Sequence, residues 1–320
     1  MSISTYWQLD VSDEPQRSEL STRPALPSLV SAPRGGSQNR YGYYAQVAQA
    51  ASQASFDGIF LPYRREADES RIVAAVVARA APQITVIPEF PASVGSAVYT
   101  SKQAVSFQRA TNGRLAWAIA PLADAQTRAA EGDYLAEEQL GERLDEFLTV
   151  ARGVHASQPF SFTGEHFEVR DGGFAAPLNR VPFPTVFLQG DSEEELSLSA
   201  QHADVHLFTP APLGALAPLI ETLDGLAHRV DRTVAFGLIQ PVLVREDGEE
   251  ARYDAARTAL QPDTLVGSYD EIAAQLAEYA ALGITHFILS ARPSLEEAYR
   301  VGRHLLPRLR ALTTTIRTAA

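Results

Sequence analysis

The chain has 320 residues, of which 45% are hydrophobic and 21% are charged, and this composition is that of a globular protein able to bury a core. Its formal net charge of -12 argues against nucleic acid and anionic membranes as partners, because a negative field repels phosphate. The sequence contains no cysteine, which excludes disulfides and thiolate chemistry. We find neither a signal-peptide pattern nor a run of roughly 20 apolar residues, and we therefore expect a cytoplasmic protein.

The first part of the chain alternates short apolar runs with helical spacing. In chain order it predicts a strand at 5–9, a helix at 43–55, a strand at 58–62, a helix at 69–80, a strand at 84–88, a helix at 97–110 and a strand at 115–120. The segment 10–40 is rich in Ser, Pro, Arg and Gly, and it predicts a long loop over one rim of the domain. A second loop is predicted at 121–132.

The same alternation continues to the end of the chain. It predicts a helix at 133–155, a small β-hairpin at 160–174, a strand at 184–188, a helix at 192–202, a strand at 205–208, a helix at 213–230, a strand at 234–244, helices at 249–260 and 269–282, a strand at 284–289 and a last helix at 295–316. Gly283 ends a helix where a positive φ is needed, and Arg292 follows the last strand, on a loop of the kind that carries chemistry in α/β folds.

Eight strands alternating with helices, without a linker between them, predict one α/β domain over residues 1–320. The number of units favours a closed (β/α)8 TIM barrel. An open doubly wound sheet is the alternative. It would need a glycine-rich phosphate loop after an early strand, and residues 8–12 contain no glycine.

Several segments, taken together, resemble the flavin-dependent alkanesulfonate monooxygenases of the bacterial-luciferase-like group. The similar segments are residues 43–51, 58–62, 102–104, 111–114, 162–169, 279–290 and 295–302. The resemblance covers nearly the whole chain. It implies a luciferase-like TIM barrel with a long rim loop after strand 1 and a small hairpin before strand 5.

The resemblance also implies an enzyme and its partners. It implies a homodimer or homotetramer that uses reduced FMN (FMNH2), supplied by a separate NAD(P)H-dependent flavin reductase, and O2 to oxygenate a small organic substrate. A dry barrel mouth suits such chemistry. Two alternatives stay open: a catalytically degenerate barrel acting as a partner subunit or flavin-binding protein, and an oxidoreductase that uses a deazaflavin, as other relatives do.

The family binds the flavin phosphate on a glycine- and serine-rich loop after strand 5, and here the matching residues are Gln189, Gly190, Asp191 and Ser192. Backbone N–H groups at a helix N-terminus hold such a phosphate. The acidic residues 193–195 that follow would compete with it.

Two further residues are assigned to the cofactor region. By the resemblance, Pro121 matches a flavin-lining position at the end of strand 4. Glu89 ends strand 3, where it either faces the mouth as a general base or pairs with a loop arginine.

The catalytic positions depart from the family pattern. The arginine and histidine that end strand 7 in the family match Ile239 and Pro241 here, and Gln240 between them is predicted to face the lumen as a hydrogen-bonding group. Arg65 and Arg292 could orient an anionic substrate, because an arginine fork matches a sulfonate or carboxylate. The alternative for Arg65 is a solvated pair with a neighbouring acid. His206 is interpreted as a core residue, and no metal is predicted.

Overall fold

The computed structural model describes residues 3–9 and 40–319. The predicted rim loop at 10–40 lies outside these residues, except for Arg40, which begins the first helix. The strands are β1 (Ser4–Gln8), β2 (Gly58–Leu61), β3 (Thr85–Phe90), β4 (Ala116–Ile119), β5 (Phe160–Thr163), β6 (Glu168–Gly172), β7 (Thr185–Gln189), β8 (Val205–Phe208), β9 (Ala235–Arg245), β10 (Leu265–Ser268) and β11 (Ile284–Ser290).

Helices follow most of the strands, as an α/β alternation requires. They are α1 (Arg40–Gln53), α2 (Ser70–Ala80), α3 (Ala97–Thr111), α4 (Ala125–Ala130), α5 (Leu140–Ala156), α6 (Glu193–His202), α7 (Leu213–Arg229), α8 (Gly248–Ala255), α9 (Tyr269–Ala281), α10 (Ser294–Arg300) and α11 (Leu306–Ala319). None of these described helices is both long and apolar enough to cross a membrane.

Eight of the strands form a closed parallel barrel. They pair in the order β9-β11-β1-β2-β3-β4-β7-β8, and β8 pairs again with β9. The predicted (β/α)8 TIM barrel is therefore confirmed, and the open sheet is wrong. The predicted small hairpin is also confirmed, since β5 and β6 pair antiparallel before β7.

The barrel strands are apolar on both faces, because their side chains alternate between the barrel interior and the helix layer. The interior cluster contains Tyr6, Phe60, Ile87, Phe187 and Ile288. The layer between strands and helices contains alternate residues of the same strands, such as Trp7, Ile59, Phe90, Trp117 and Phe287. Each fully buried side chain of this size stabilises the fold by about 1.5–3 kcal/mol.

Strand β9 is longer than the barrel needs. Its first part pairs with β11, and Val242 to Arg245 continue alone to pair with β10. The helix predicted at 249–260 ends at Ala255. The four-residue strand β10 was not predicted from the sequence. A strand this short has no period of its own, so only its pairing with β9 defines it.

Two other boundaries differ from the prediction. The helix predicted from 133 begins at Leu140, after a 3-10 turn at Glu137–Gln139. Asp133 lies outside it and accepts the N–H of Leu135 and, at 2.8 Å, both terminal nitrogens of Arg143. The last helix is interrupted by a π-helical turn at Val301–Leu305. The predicted positive φ of Gly283 is confirmed, at 111°.

The β5–β6 hairpin is anchored to α5 by one buried carboxylate. Glu146 is 6% exposed, and its side chain accepts the main-chain N–H groups of Glu165 at 2.7 Å, His166 at 2.9 Å and Phe167 at 2.9 Å. Gly164 completes the turn, since a Cβ there would collide with this carboxylate. The turn therefore depends on a helix residue about twenty positions away.

Candidate active site at the carboxyl end of the barrel

Polar residues end several barrel strands just above the apolar interior. Each follows an interior residue by two positions on its strand: Gln8 after Tyr6, Glu89 after Ile87, Gln189 after Phe187 and Ser290 after Ile288. Residues two apart share a face of a strand, so these side chains face the barrel lumen. The carboxyl end of the barrel therefore has a polar rim over an apolar interior, and this end is where barrel enzymes bind substrates.

Glu89 and Gln189 meet across this rim. Glu89 is 5% exposed, and its carboxylate accepts the N–H of Tyr63 at 2.7 Å and the side-chain amide of Gln189. A buried carboxylate held by N–H donors can keep its charge in an apolar setting. Glu89 therefore lies at the mouth, where its carboxylate is bound by Tyr63 and Gln189.

Tyr63 links the loops after β2 and β4. Its hydroxyl donates to Glu131, and burial, followed by this contact, raises the pKa of Tyr63. The main-chain N–H of the same residue binds Glu89. A change in the position of either loop would therefore move Tyr63 and alter its hydrogen bond to Glu89.

The predicted phosphate loop forms the turn between β7 and α6. Gly190 has a φ of 125°, and Ser192 is the N-cap of α6. Ser192 donates both its main-chain N–H, at 3.2 Å, and its hydroxyl, at 2.7 Å, to the carboxylate of Glu195. The turn as folded does not favour a phosphate dianion, because the phosphate would have to displace Glu195 to reach the N–H and the hydroxyl of Ser192.

A small pocket that is open to solvent lies beside this turn. Its lining is mainly apolar and includes Ile119, Pro121, Leu144, Leu188 and Leu198. Gln189 and Glu195 complete the lining, and Glu195 is the charged residue among the described residues that line it. Of the predicted cofactor residues, Gln189 and Pro121 thus share a pocket, and Gln189 joins it to Glu89.

A second cleft lies where β11 leaves the sheet and β9 continues. The residues that line this cleft include Ser290, Arg292, the segment 258–261 and Glu297 of α10. Ser290 is 5% exposed, and its hydroxyl has no hydrogen-bond partner among the described residues. This is the second place at the carboxyl end where a small molecule could bind.

The acidic residue in this cleft is neutralised by arginines. Glu297 is 2% exposed and pairs with Arg245 and Arg300. Burial raises the pKa of Glu297, while both arginines oppose that change. Arg245 also binds Asp254 at 2.6 Å, so two carboxylates and two arginines pair with one another beside Arg292.

Two predicted catalytic residues lie elsewhere. Gln240 does not face the lumen: it pairs in register with Leu289 of the outer layer, and its amide donates to the carbonyls of Pro241 at 2.9 Å and Asp263 at 2.8 Å. The predicted orientation of Gln240 is therefore wrong. Arg65 is half-exposed and pairs with Glu66, and it is not among the residues that line the Arg292 cleft. Asp191 is exposed on the turn after Gly190.

His206 faces the helix layer, as expected of a core residue. Its Nδ1 lies 2.8 Å from the hydroxyl of Ser199 on α6, and burial lowers the pKa of His206 to about 4. In the described ranges, no group of three or more acidic or histidine side chains could hold a metal ion.

Sequence reasoning missed Tyr63, Gln8 and Ser290. The signal for the last two was present: each lies two positions beyond an interior residue, Gln8 within a predicted strand and Ser290 just after one. Tyr63 contacts Glu89 through its main chain, which side-chain chemistry does not reveal.

The comparisons with known proteins agree with this architecture. The family model described as luciferase-like monooxygenase matches residues 25–263, which is more than half of the chain. Similar solved structures include an EDTA monooxygenase from Chelativorans sp. BNC1 (TM-score 0.78, 16% identity, 97% of this chain and 94% of that chain covered). A riboflavin lyase with modified FMN and riboflavin has a TM-score of 0.79 at 14% identity, with 97% of this chain and 92% of that chain covered.

A third similar structure uses another cofactor. It is a coenzyme F420-dependent tetrahydromethanopterin reductase from Methanopyrus kandleri, with a TM-score of 0.75, 10% identity, and 97% of this chain and 100% of that chain covered. At these identities the likeness of the structures shows the fold alone.

Proposed function

Because the chain belongs to the luciferase-like monooxygenase family, we propose that it is a reduced-flavin-dependent monooxygenase that oxygenates a small organic substrate at the carboxyl end of the barrel. The family match carries the proposal. The polar rim over an apolar interior supports it, because oxygenation by a flavin needs a site that excludes water. A reduced flavin, when bound, supplies the electrons that activate O2.

The residues of the chain itself would bind and orient the reactants. Glu89, held by Tyr63 and Gln189, is an acceptor at the rim for a donor group of a bound molecule. Gln189 and Pro121 border the apolar pocket next to the rim. The apolar interior below, with Phe187 and Ile288, keeps water from entering through the barrel.

The substrate side of the proposal rests on the cleft around Arg292. Arg292 and Ser290 both line this cleft, and the buried Ser290 hydroxyl has no hydrogen-bond partner among the described residues. An anionic substrate, sulfonates included, would be oriented there. We assign no substrate role to Gln240, whose amide is bound to main-chain carbonyls.

The proposal extends to partners by the same family membership. Reduced flavin would come from a separate NAD(P)H-dependent flavin reductase, and the protein would form a homodimer or homotetramer. A deazaflavin in place of FMN is compatible with the same barrel, since one similar structure is that of an F420-dependent enzyme.

One observation favours a second candidate, a degenerate barrel that serves as a partner subunit. The turn that would hold the flavin phosphate is filled by Glu195. The two candidates differ in one measurable respect, because a degenerate subunit turns over no substrate without a homologous partner.

Anaerobic titration of the protein with reduced flavin is the direct test. We expect saturable binding of reduced flavin, followed by consumption of O2 and of substrate when a flavin reductase and NAD(P)H are supplied with a panel of small sulfonates and carboxylates. Parallel titration with F420 separates the deazaflavin alternative. Absence of binding by reduced FMN, reduced riboflavin and F420 at high micromolar concentration would refute the proposed activity.

A further inference from the structure

The turn between β7 and α6 is built like an anion site. A positive-φ glycine, Gly190, precedes a serine N-cap at the start of a ten-residue helix, and such helix N-termini hold phosphates through their N–H groups. In this chain the N–H and the hydroxyl of Ser192 both donate to one oxygen of Glu195. A carboxylate oxygen of the chain therefore lies where a phosphate oxygen would bind.

Glycine allows this arrangement. A Cβ at Gly190 would collide with the carboxylate of Glu195, so the carboxylate lies directly over the glycine main chain. Glu195 completes the contact by donating its own N–H to the Ser192 hydroxyl at 3.2 Å. The turn and the carboxylate thus form a closed hydrogen-bonded unit.

Neighbouring acids increase the negative charge at the turn. Asp191, Glu193 and Glu194 lie within four residues of one another, and all three are exposed. Glu194 reaches the first turn of α5, because a Cβ at Gly141 would collide with its carboxylate. Like charges within about 4 Å repel strongly even at an effective dielectric constant of about 20. A phosphate dianion is therefore opposed by position and by charge.

The adjacent pocket indicates what would be favoured instead. It is apolar along Ile119, Leu144 and Leu198, and its polar end is the Glu195 carboxylate with the Gln189 amide. A carboxylate only accepts hydrogen bonds, so it suits a ligand that presents hydroxyl groups. The ribityl chain of a flavin presents hydroxyls, whereas a terminal phosphate dianion presents only acceptors.

We infer that Glu195 is a specificity-determining residue, and that the β7–α6 turn favours a flavin with an uncharged hydroxyl end, riboflavin, over FMN. The inference rests on the proposed function in one respect: it takes the ligand at the barrel mouth to be a flavin. Glu195 then determines whether riboflavin or FMN binds more tightly.

The test compares riboflavin and FMN binding in three proteins: the wild type, Glu195→Gln and Glu193→Gln. Glutamine can keep the capping box with Ser192 while removing the charge, and thermal unfolding checks that the fold is retained. Glu193→Gln is the matched control, because it removes one charge from the same exposed helical turn without a contact to Ser192.

We expect the wild type to bind riboflavin at least as tightly as FMN in fluorescence titrations. Glu195→Gln should shift the ratio of the two affinities by about tenfold or more toward FMN, and Glu193→Gln by less than about threefold, because screening by solvent weakens the effect of the more distant charge. Wild-type binding of FMN about tenfold tighter than riboflavin, or equal shifts in the two variants, would overturn the inference.

Failure of the proposed function gives a different result. If the wild type binds neither flavin, the proposed function is contradicted, and inorganic phosphate then tests the role of Glu195. Glu195→Gln should bind phosphate about tenfold more tightly than Glu193→Gln does. Equal phosphate affinities of the two variants would overturn the inference as well.

Discussion

Replacement of Glu146 by glutamine tests how much the hydrogen bonds between α5 and the β5–β6 hairpin contribute to stability. The carboxylate accepts three main-chain N–H groups: one oxygen binds Glu165, and the other binds His166 and Phe167. An amide oxygen can take over the two bonds of one carboxylate oxygen. The NH2 group then faces the N–H of Glu165, so at least one bond is lost.

The size of the effect follows from these contacts. A hydrogen bond to a charged group is worth about 1.5–3 kcal/mol, and the two bonds that remain are weakened when the charge is removed. We therefore expect Glu146→Gln to lower the free energy of unfolding by about 2–4 kcal/mol, a large part of the roughly 5–15 kcal/mol of a typical domain.

Urea unfolding followed by circular dichroism measures this difference, and hydrogen exchange of the amides of residues 165–167 locates it. Glu142→Gln is the control, because Glu142 lies one turn earlier on α5, with a side chain 54% exposed and 3.6 Å from His166. We expect a change of at most about 1 kcal/mol for this control. Equal stability of the two variants, or unchanged exchange of the turn amides in Glu146→Gln, would refute the reasoning.

Three further predictions concern the backbone, a buried histidine and the candidate substrate cleft. Gly283→Ala should lower the free energy of unfolding by about 1–3 kcal/mol through the positive φ of 111° alone, since its Cβ would meet only Phe236 at an ordinary 3.6 Å; an unchanged urea midpoint would contradict this. His206 has a folded-state pKa of about 4, below its unfolded value of 6.5, so the folded protein loses stability as the pH falls from 6.5 toward 4. The stability deficit of His206→Asn relative to the wild type should shrink by about 3 kcal/mol over that range, whereas a constant deficit would contradict the burial argument. Arg292→Gln should raise KM for an anionic substrate by about tenfold, and Arg65→Gln by less than about twofold, because only Arg292 lines the cleft; steady-state kinetics with equal effects would refute this assignment.

The sequence predicted the positions of some residues of the candidate site but not of others. Glu89 and Gln189 could be placed at strand ends, and the ends of parallel strands meet at one edge of a barrel. Gln240 could not be placed, because β9 is apolar on both faces and its alternation does not distinguish inside from outside. Its face was decided by the pairing of β9 with β11.

The sequence by itself determined the class of the fold. Short apolar runs, helix caps and Gly283 are local features, and the alternation of strand and helix admits few topologies. Tertiary structure decided two matters that local pattern cannot reach: the pairing of β10 and the anchoring of the hairpin by Glu146. The physical reason is the same in each case, since hydrogen bonds and strand register depend on the positions of groups in space, while the sequence shows only that the groups are present.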